Sequence, residues 1–130
     1  MDRRTDNFTL NELRCQCEVC ALKEPHQITD YALDKLQSIR EALNEVMILS
    51  SAFRCENHPI EMFKSSPGTH NRGAFDVKAP DGAYAMRLLK VAVEHGATGI
   101  GFSLSSSDRS VRYMHIDFDV ERTVPVIWSY

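Results

Sequence analysis

The stretch THNRGAFDV, residues 69–77, sets His70 and Asp76 on either side of a glycine, with five residues between them, at the entrance to a short β-branched and aromatic run. Taken singly, each has an ordinary explanation: a loop histidine, and an aspartate that caps or pairs. A second imidazole changes the reading. In YMHIDFD, the alternation of an extended segment puts Tyr113, His115, Asp117 and Asp119 on one face. Two imidazoles and one carboxylate make a three-ligand set, which leaves a fourth tetrahedral position for water. That is what a hydrolytic zinc requires, because the open position holds the water whose acidity the metal raises. His70, Asp76 and His115 are therefore the candidate metal ligands, and Zn2+ is the expected cofactor.

Hydrolysis also needs a group that moves a proton. In a strand, Asp117 faces the same way as His115 at a Cα separation of roughly 6.5 to 7 Å, which makes it the preferred candidate. Asp108, in the loop before that strand, is the runner-up. The same position suits a different task for Asp117, since metal-binding histidines usually donate their second ring N–H to a carboxylate that orients them. Both tasks stay open at this level.

These side chains depend on elements that the sequence also marks. Thr9-Leu-Asn-Glu12 has capping-box form and predicts a short helix. Between Ile28 and Met47, apolar residues at Leu33, Leu36, Ile39, Leu43 and Met47 recur at spacings of three and four, the stripe of a helix packed by one face. Val46 to Phe53 then reads as a strand that delivers Ser51 and Arg54 at its end. Residues 55–73 hold two prolines, two glycines and two asparagines and read as a long ordered loop, a feature that in compact domains tends to be functional. Ala74 to Lys78 is a short strand, closed by APDG with Asp81 as an N-cap. Ala83 to His95 forms a second main helix, with Met86, Leu89 and Val93 among its apolar positions and Gly96 to stop it. Thr98 to Ser103, the loop SLSSSDRS and Val111 to Val120 read as a hairpin. Helices first, then strands interrupted by one helix, predict an α+β domain with a small, mainly antiparallel sheet.

The bulk composition excludes several functions. A chain of 130 residues, 43% hydrophobic and 25% charged, is expected to form a single domain over 1–130. A net charge of −3, without a basic run, offers no field for nucleic acid. No apolar stretch reaches a membrane span, and MDRRTDNFTLNEL lacks a signal-peptide core, so the expected site of synthesis is the cytoplasm, without export by a signal of its own. Of the four cysteines, Cys15, Cys17 and Cys20 cluster in RCQCEVC and Cys55 stands apart. Free, partly buried thiols, a structural zinc and a conditional Cys20 to Cys55 bridge are all compatible with that spacing. His26, His58 and His95 read as a turn, an exposed loop and a helix end. Gly99-Ile-Gly101 lacks the third glycine and the following helix of a nucleotide loop. Trp128 reads as a core residue sooner than a cleft wall.

Taken in order, FTLNEL, LDKLQSIREAL, SAFRCENH, HNRGAFD, GIGFS, MHID and the closing VIWSY resemble the small zinc metallopeptidases of the Hedgehog/DD-peptidase fold. These include D-Ala-D-Ala carboxypeptidases and phage L-alanoyl-D-glutamate endolysins. The resemblance implies zinc on His70, Asp76 and His115, with Arg54 of the SxxR segment holding the substrate near the metal. It implies a peptidoglycan hydrolase that cleaves a peptide bond in the stem peptide, acts at the cell wall as a phage or bacterial lysin, and works as a monomer. Two departures accompany it. Relatives commonly place six residues between the first histidine and the aspartate, where this chain has five. Several carry an acid three residues before the last histidine, where this chain has Arg112, which cannot serve as a base. Those departures support an alternative, a non-catalytic zinc-containing structural or wall-binding protein of the same fold.

Overall fold

The computed structural model of the chain describes residues 5–13, 28–52 and 73–130. Arg54, His58, His70, His26 and all four cysteines lie outside the described residues. The elements are α1 (Leu10–Leu13), α2 (Asp30–Leu43), β1 (Leu49–Ser51), β2 (Ala74–Lys78), α3 (Gly82–Glu94), β3 (Gly99–Leu104), β4 (Val111–Asp117) and β5 (Val126–Ser129).

Local chemistry fixes the helix ends. The Thr9 hydroxyl accepts from the Glu12 amide at 3.2 Å while Glu12 accepts from the Thr9 amide at 3.0 Å, the reciprocal cap that the sequence announces. In α2, Thr29 accepts from the Ala32 amide, and Asn44, left-handed at φ 54°, ends the helix short of Met47. Asp81 caps α3 by accepting from the Tyr84 amide at 2.7 Å, and Gly96 follows its end with φ 87°. The face that α3 buries is Tyr84, Ala85, Leu88 and Ala92, whereas Met86 and Val93 of the expected apolar set are exposed. The small residues Ala85 and Ala92 let the helix approach the sheet, so the buried stripe follows size as well as hydropathy.

The strands form one five-stranded sheet in the order β1-β2-β4-β3-β5, antiparallel except for the parallel pair β3–β5. The fold is α+β, and the sheet is mixed because VIWSY returns as an edge strand beside β3. Alternation gives the sheet two different faces. Phe75, Val77, Ile100, Met114 and Ile116 point to the core shared with Leu36, Ile39 and Leu88 of the two long helices. The opposite face carries a row that crosses four strands by register, Asp76 to His115 to Gly101 to Trp128. β4 ends at Asp117, so Asp119 lies beyond the strand predicted to contain it.

Entry to β2 passes through Gly73, whose φ of 150° is open to glycine and whose Cβ, if present, would meet the Ala32 side chain at 2.5 Å. α2 thus lies against the backbone three residues before Asp76. No helix among the described residues is long and apolar enough to cross a membrane.

Leu36 is fully buried at the centre of the helix–sheet core. Leu36→Ala is expected to cost about 2–5 kcal/mol of unfolding free energy in a denaturant titration, with the slope unchanged.

Candidate functional site

Of the five residues that the sequence nominates, the described residues include three, and the sheet brings those three together. Asp76 on β2 and His115 on β4 are direct Cα partners, and Asp117 lies one step further along β4 opposite Ala74. All three are buried polar groups. Burial of this kind is costly unless partners satisfy the groups.

His115 Nδ1 lies 3.5 Å from Asp76 Oδ1, beyond the usual hydrogen-bond range of roughly 2.7 to 3.2 Å. It is, however, the spacing of two donors that share an ion: ligands roughly 2.0–2.2 Å from a tetrahedral zinc stand about 3.4 Å apart. A neutral imidazole nitrogen and a carboxylate oxygen are also the donor types zinc accepts. Asp76 and His115 therefore fit a zinc ion as two of its ligands. Among the described residues no group of three or more His, Cys, Asp or Glu side chains forms a complete cage, so a zinc ion on this pair would need a further ligand from outside them.

The other ring nitrogen faces the other way. His115 Nε2 is 2.7 Å from Asp117 Oδ2. The second Asp117 oxygen accepts from Arg122 Nη1 at 2.5 Å and from the Thr98 hydroxyl and the Asp119 amide, each at 3.3 Å. Both oxygens are engaged, the side chain is 1% exposed, and it stands on the far side of the imidazole from Asp76. Of the two tasks open to Asp117, this geometry is that of the carboxylate that orients a histidine. Asp108, the runner-up for proton transfer, sits exposed in the β3–β4 turn, where it accepts from the Ser110 amide and hydroxyl. His115 is four residues along β4 from Val111, roughly 13 Å of strand, and the turn lies beyond Val111.

Other contributors were given a different place by the sequence or were not singled out there. Trp128, predicted as core, lies on the site face with its ring centroid 5.1 Å from that of His115. Arg122 clamps Asp117 and lies 5.7 Å from the Trp128 ring. Gly99 and Gly101, read as part of a strand, allow close approach of neighbouring side chains. A Cβ on Gly101 would stand 2.6 Å from Trp128 Nε1, and one on Gly99 would overlap the Asp117 carboxylate. Glycine at two alternate positions of a strand was the available signal, since it marks where side chains from neighbouring strands lie flat across the backbone.

Electrostatics follow from burial and pairing. Burial alone would lower the His115 pKa, but the Asp117 hydrogen bond and the charges of Asp117 and Asp76 outweigh it and raise the value above 6.5. Burial would raise the Asp117 pKa, and the bond to His115, the charge of His115 and Arg122 together pull it below 3.8.

The sequence pattern of the Peptidase M15 family matches residues 6–117, which is most of the chain and runs from the first helix to Asp117. The chain belongs to that family, a family of zinc metallopeptidases with the Hedgehog/DD-peptidase fold. Its members are generally zinc-dependent and act on peptide-type substrates. No curated protein sequence matches the chain closely enough to count as a relative.

The pKa shifts make pH a probe of this site. A raised His115 pKa stabilises the metal-free protein fully below about 6.5, and that contribution is lost as pH rises through the folded value. The lowered Asp117 value stabilises it above about 3.8 and is lost as pH falls through the folded value. Metal binding has the opposite dependence on His115, because the ligand must be deprotonated. Zinc affinity measured by chelator competition is therefore expected to weaken as pH falls through the raised His115 pKa, while the thermal stability of the metal-free form does not fall over the same interval.

Proposed function

We propose that the protein is a zinc-dependent peptidoglycan hydrolase that cleaves a peptide bond of the cell-wall stem peptide. His70, Asp76 and His115 hold the ion in this reading. The observation that carries it is the 3.5 Å approach of the Asp76 and His115 donor atoms in a chain of the Peptidase M15 family. When bound, zinc lowers the pKa of its water and polarises the scissile carbonyl. The residues of the chain do the rest. Asp117 keeps the His115 ring oriented, and Arg54 offers a planar fork to a peptide carboxylate or carbonyl.

The face beside the pair suits an anionic peptide. Lys78 and Tyr113 are Cα partners two residues along from Asp76 and His115, and they open into a groove shared with Ser50, Pro80 and Arg112. Two exposed cationic side chains there favour a substrate with several carboxylates, as stem peptides have. Arg112 thus belongs to substrate attraction in this proposal, rather than to proton transfer. Action at the wall after cytoplasmic synthesis, as a phage or bacterial lysin, is part of the same reading.

A second reading is a non-catalytic zinc protein on this fold. It is favoured by one observation: among the described residues the further acid that meets His115, Asp117, lies on the far side of the ring from Asp76 and is held by Arg122. Zymography on purified cell walls separates the two. Clearing by the wild type is expected to vanish with chelator, return with zinc, and fall about 100-fold or more in Asp76→Ala and His115→Ala, since loss of a ligand should cost at least what loss of its hydrogen-bonded support does. Bound zinc without chelator-sensitive clearing would establish the non-catalytic reading instead.

A further inference from the structure

The family match ends at residue 117, but the wall of the site does not. Beyond β4 the chain turns at Asp119, whose carboxylate accepts from the Glu121 amide and whose carbonyl accepts from the Arg122 amide. That turn sends Arg122 back over β3 to Asp117, and the chain then re-enters the sheet as β5, bringing Trp128 beside His115. The contacts close on themselves: His115 to Asp117 at 2.7 Å, Asp117 to Arg122 at 2.5 Å, Arg122 to the Trp128 ring at 5.7 Å, and Trp128 to His115 at 5.1 Å. Gly99 and Gly101 form the floor, and a Cβ at Gly99 would collide with both Asp117 and Arg122.

We propose that Arg122 is a positioning residue for the metal site, acting through Asp117 to hold the His115 ring with Nδ1 turned toward Asp76. The proposal rests on the reading of His115 as a ligand and extends the site into the segment after the family match. The physical reason is charge and geometry together. A carboxylate that is 1% exposed keeps its orientation only if partners hold it, and an arginine does so with a charge-assisted bond from a planar group. Stacked near Trp128, the guanidinium has little freedom to leave. Asp117 is then fixed at one oxygen and free to hold the His115 N–H at the other, which sets the tautomer that presents a lone pair at Nδ1.

The test uses the full chain with Co2+ as the probe. Binding is read by quenching of the single tryptophan, Trp128, and affinity by competition with a chelator. Arg122→Ala is expected to weaken Co2+ binding by about 10- to 100-fold, the range for loss of support to a metal-bound histidine, with the circular dichroism spectrum unchanged. Arg122→Lys should recover part of the loss, because it restores charge without the planar fork. If Arg122 acts through Asp117, the double variant Arg122→Ala/Asp117→Asn binds no more weakly than Asp117→Asn alone. Wild-type affinity in folded Arg122→Ala, or losses that multiply in the double variant, would overturn the proposal. Should Arg122→Ala not fold, Arg122→Gln carries the test, and an unchanged affinity there has the same meaning. Undiminished Co2+ binding by His115→Ala would instead remove the ligand reading itself, and this proposal with it, a failure distinct from one seen at Arg122 alone.

Discussion

A buried imidazole with a carboxylate at each nitrogen constrains everything around it. His115 stands between Asp76 at Nδ1 and Asp117 at Nε2, and all three side chains are almost completely removed from solvent. A carboxylate as buried as Asp117 demands positive charge nearby. Arg122 supplies it on the Asp117 side. On the Asp76 side, the donor spacing suits a divalent ion, the metal proposed there.

The sheet makes this arrangement possible by giving its two faces unrelated work. Every second residue of β2, β3 and β4 enters the helix-covered core, and the intervening residues build the site. A slip of one residue in the β2–β4 register would exchange Asp76 for Phe75 or Val77 and bury the carboxylate among leucines. The apolar alternation that stabilises the fold is therefore also what aims the polar groups. The glycines of β3 have a related effect, because a missing side chain there lets neighbours on β4 and β5 reach across the strand and touch.

Much of this was legible in the residues. The Ala74–Lys78 strand, the caps at Thr9, Asp81 and Gly96, and the shared face of His115 and Asp117 all come from short-range rules whose signals are contained within a few residues. What escaped depends on contacts between segments distant in sequence. The parallel pairing of VIWSY with β3 has no local signature, and neither Arg122 nor the site-facing side of Trp128 could be inferred without it. The task of Asp117 was undecided because alternation gives the face a side chain occupies, not which imidazole nitrogen it meets. The helix stripe of α3 was misassigned where alanines, and not the larger Met86 and Val93, face the sheet. His70 and Arg54 rest on the sequence pattern and fall outside the described residues.

The claim at the centre is that one divalent ion is held jointly by the facing sides of Asp76 and His115. Anomalous diffraction at the zinc absorption edge, from crystals grown with zinc, tests it most directly. The expected result is a single strong peak within roughly 2.0 to 2.2 Å of both His115 Nδ1 and Asp76 Oδ1, with His70 as a further ligand. A peak lying only among Cys15, Cys17 and Cys20, or a zinc-loaded crystal in which Asp76 and His115 bind nothing, would contradict it.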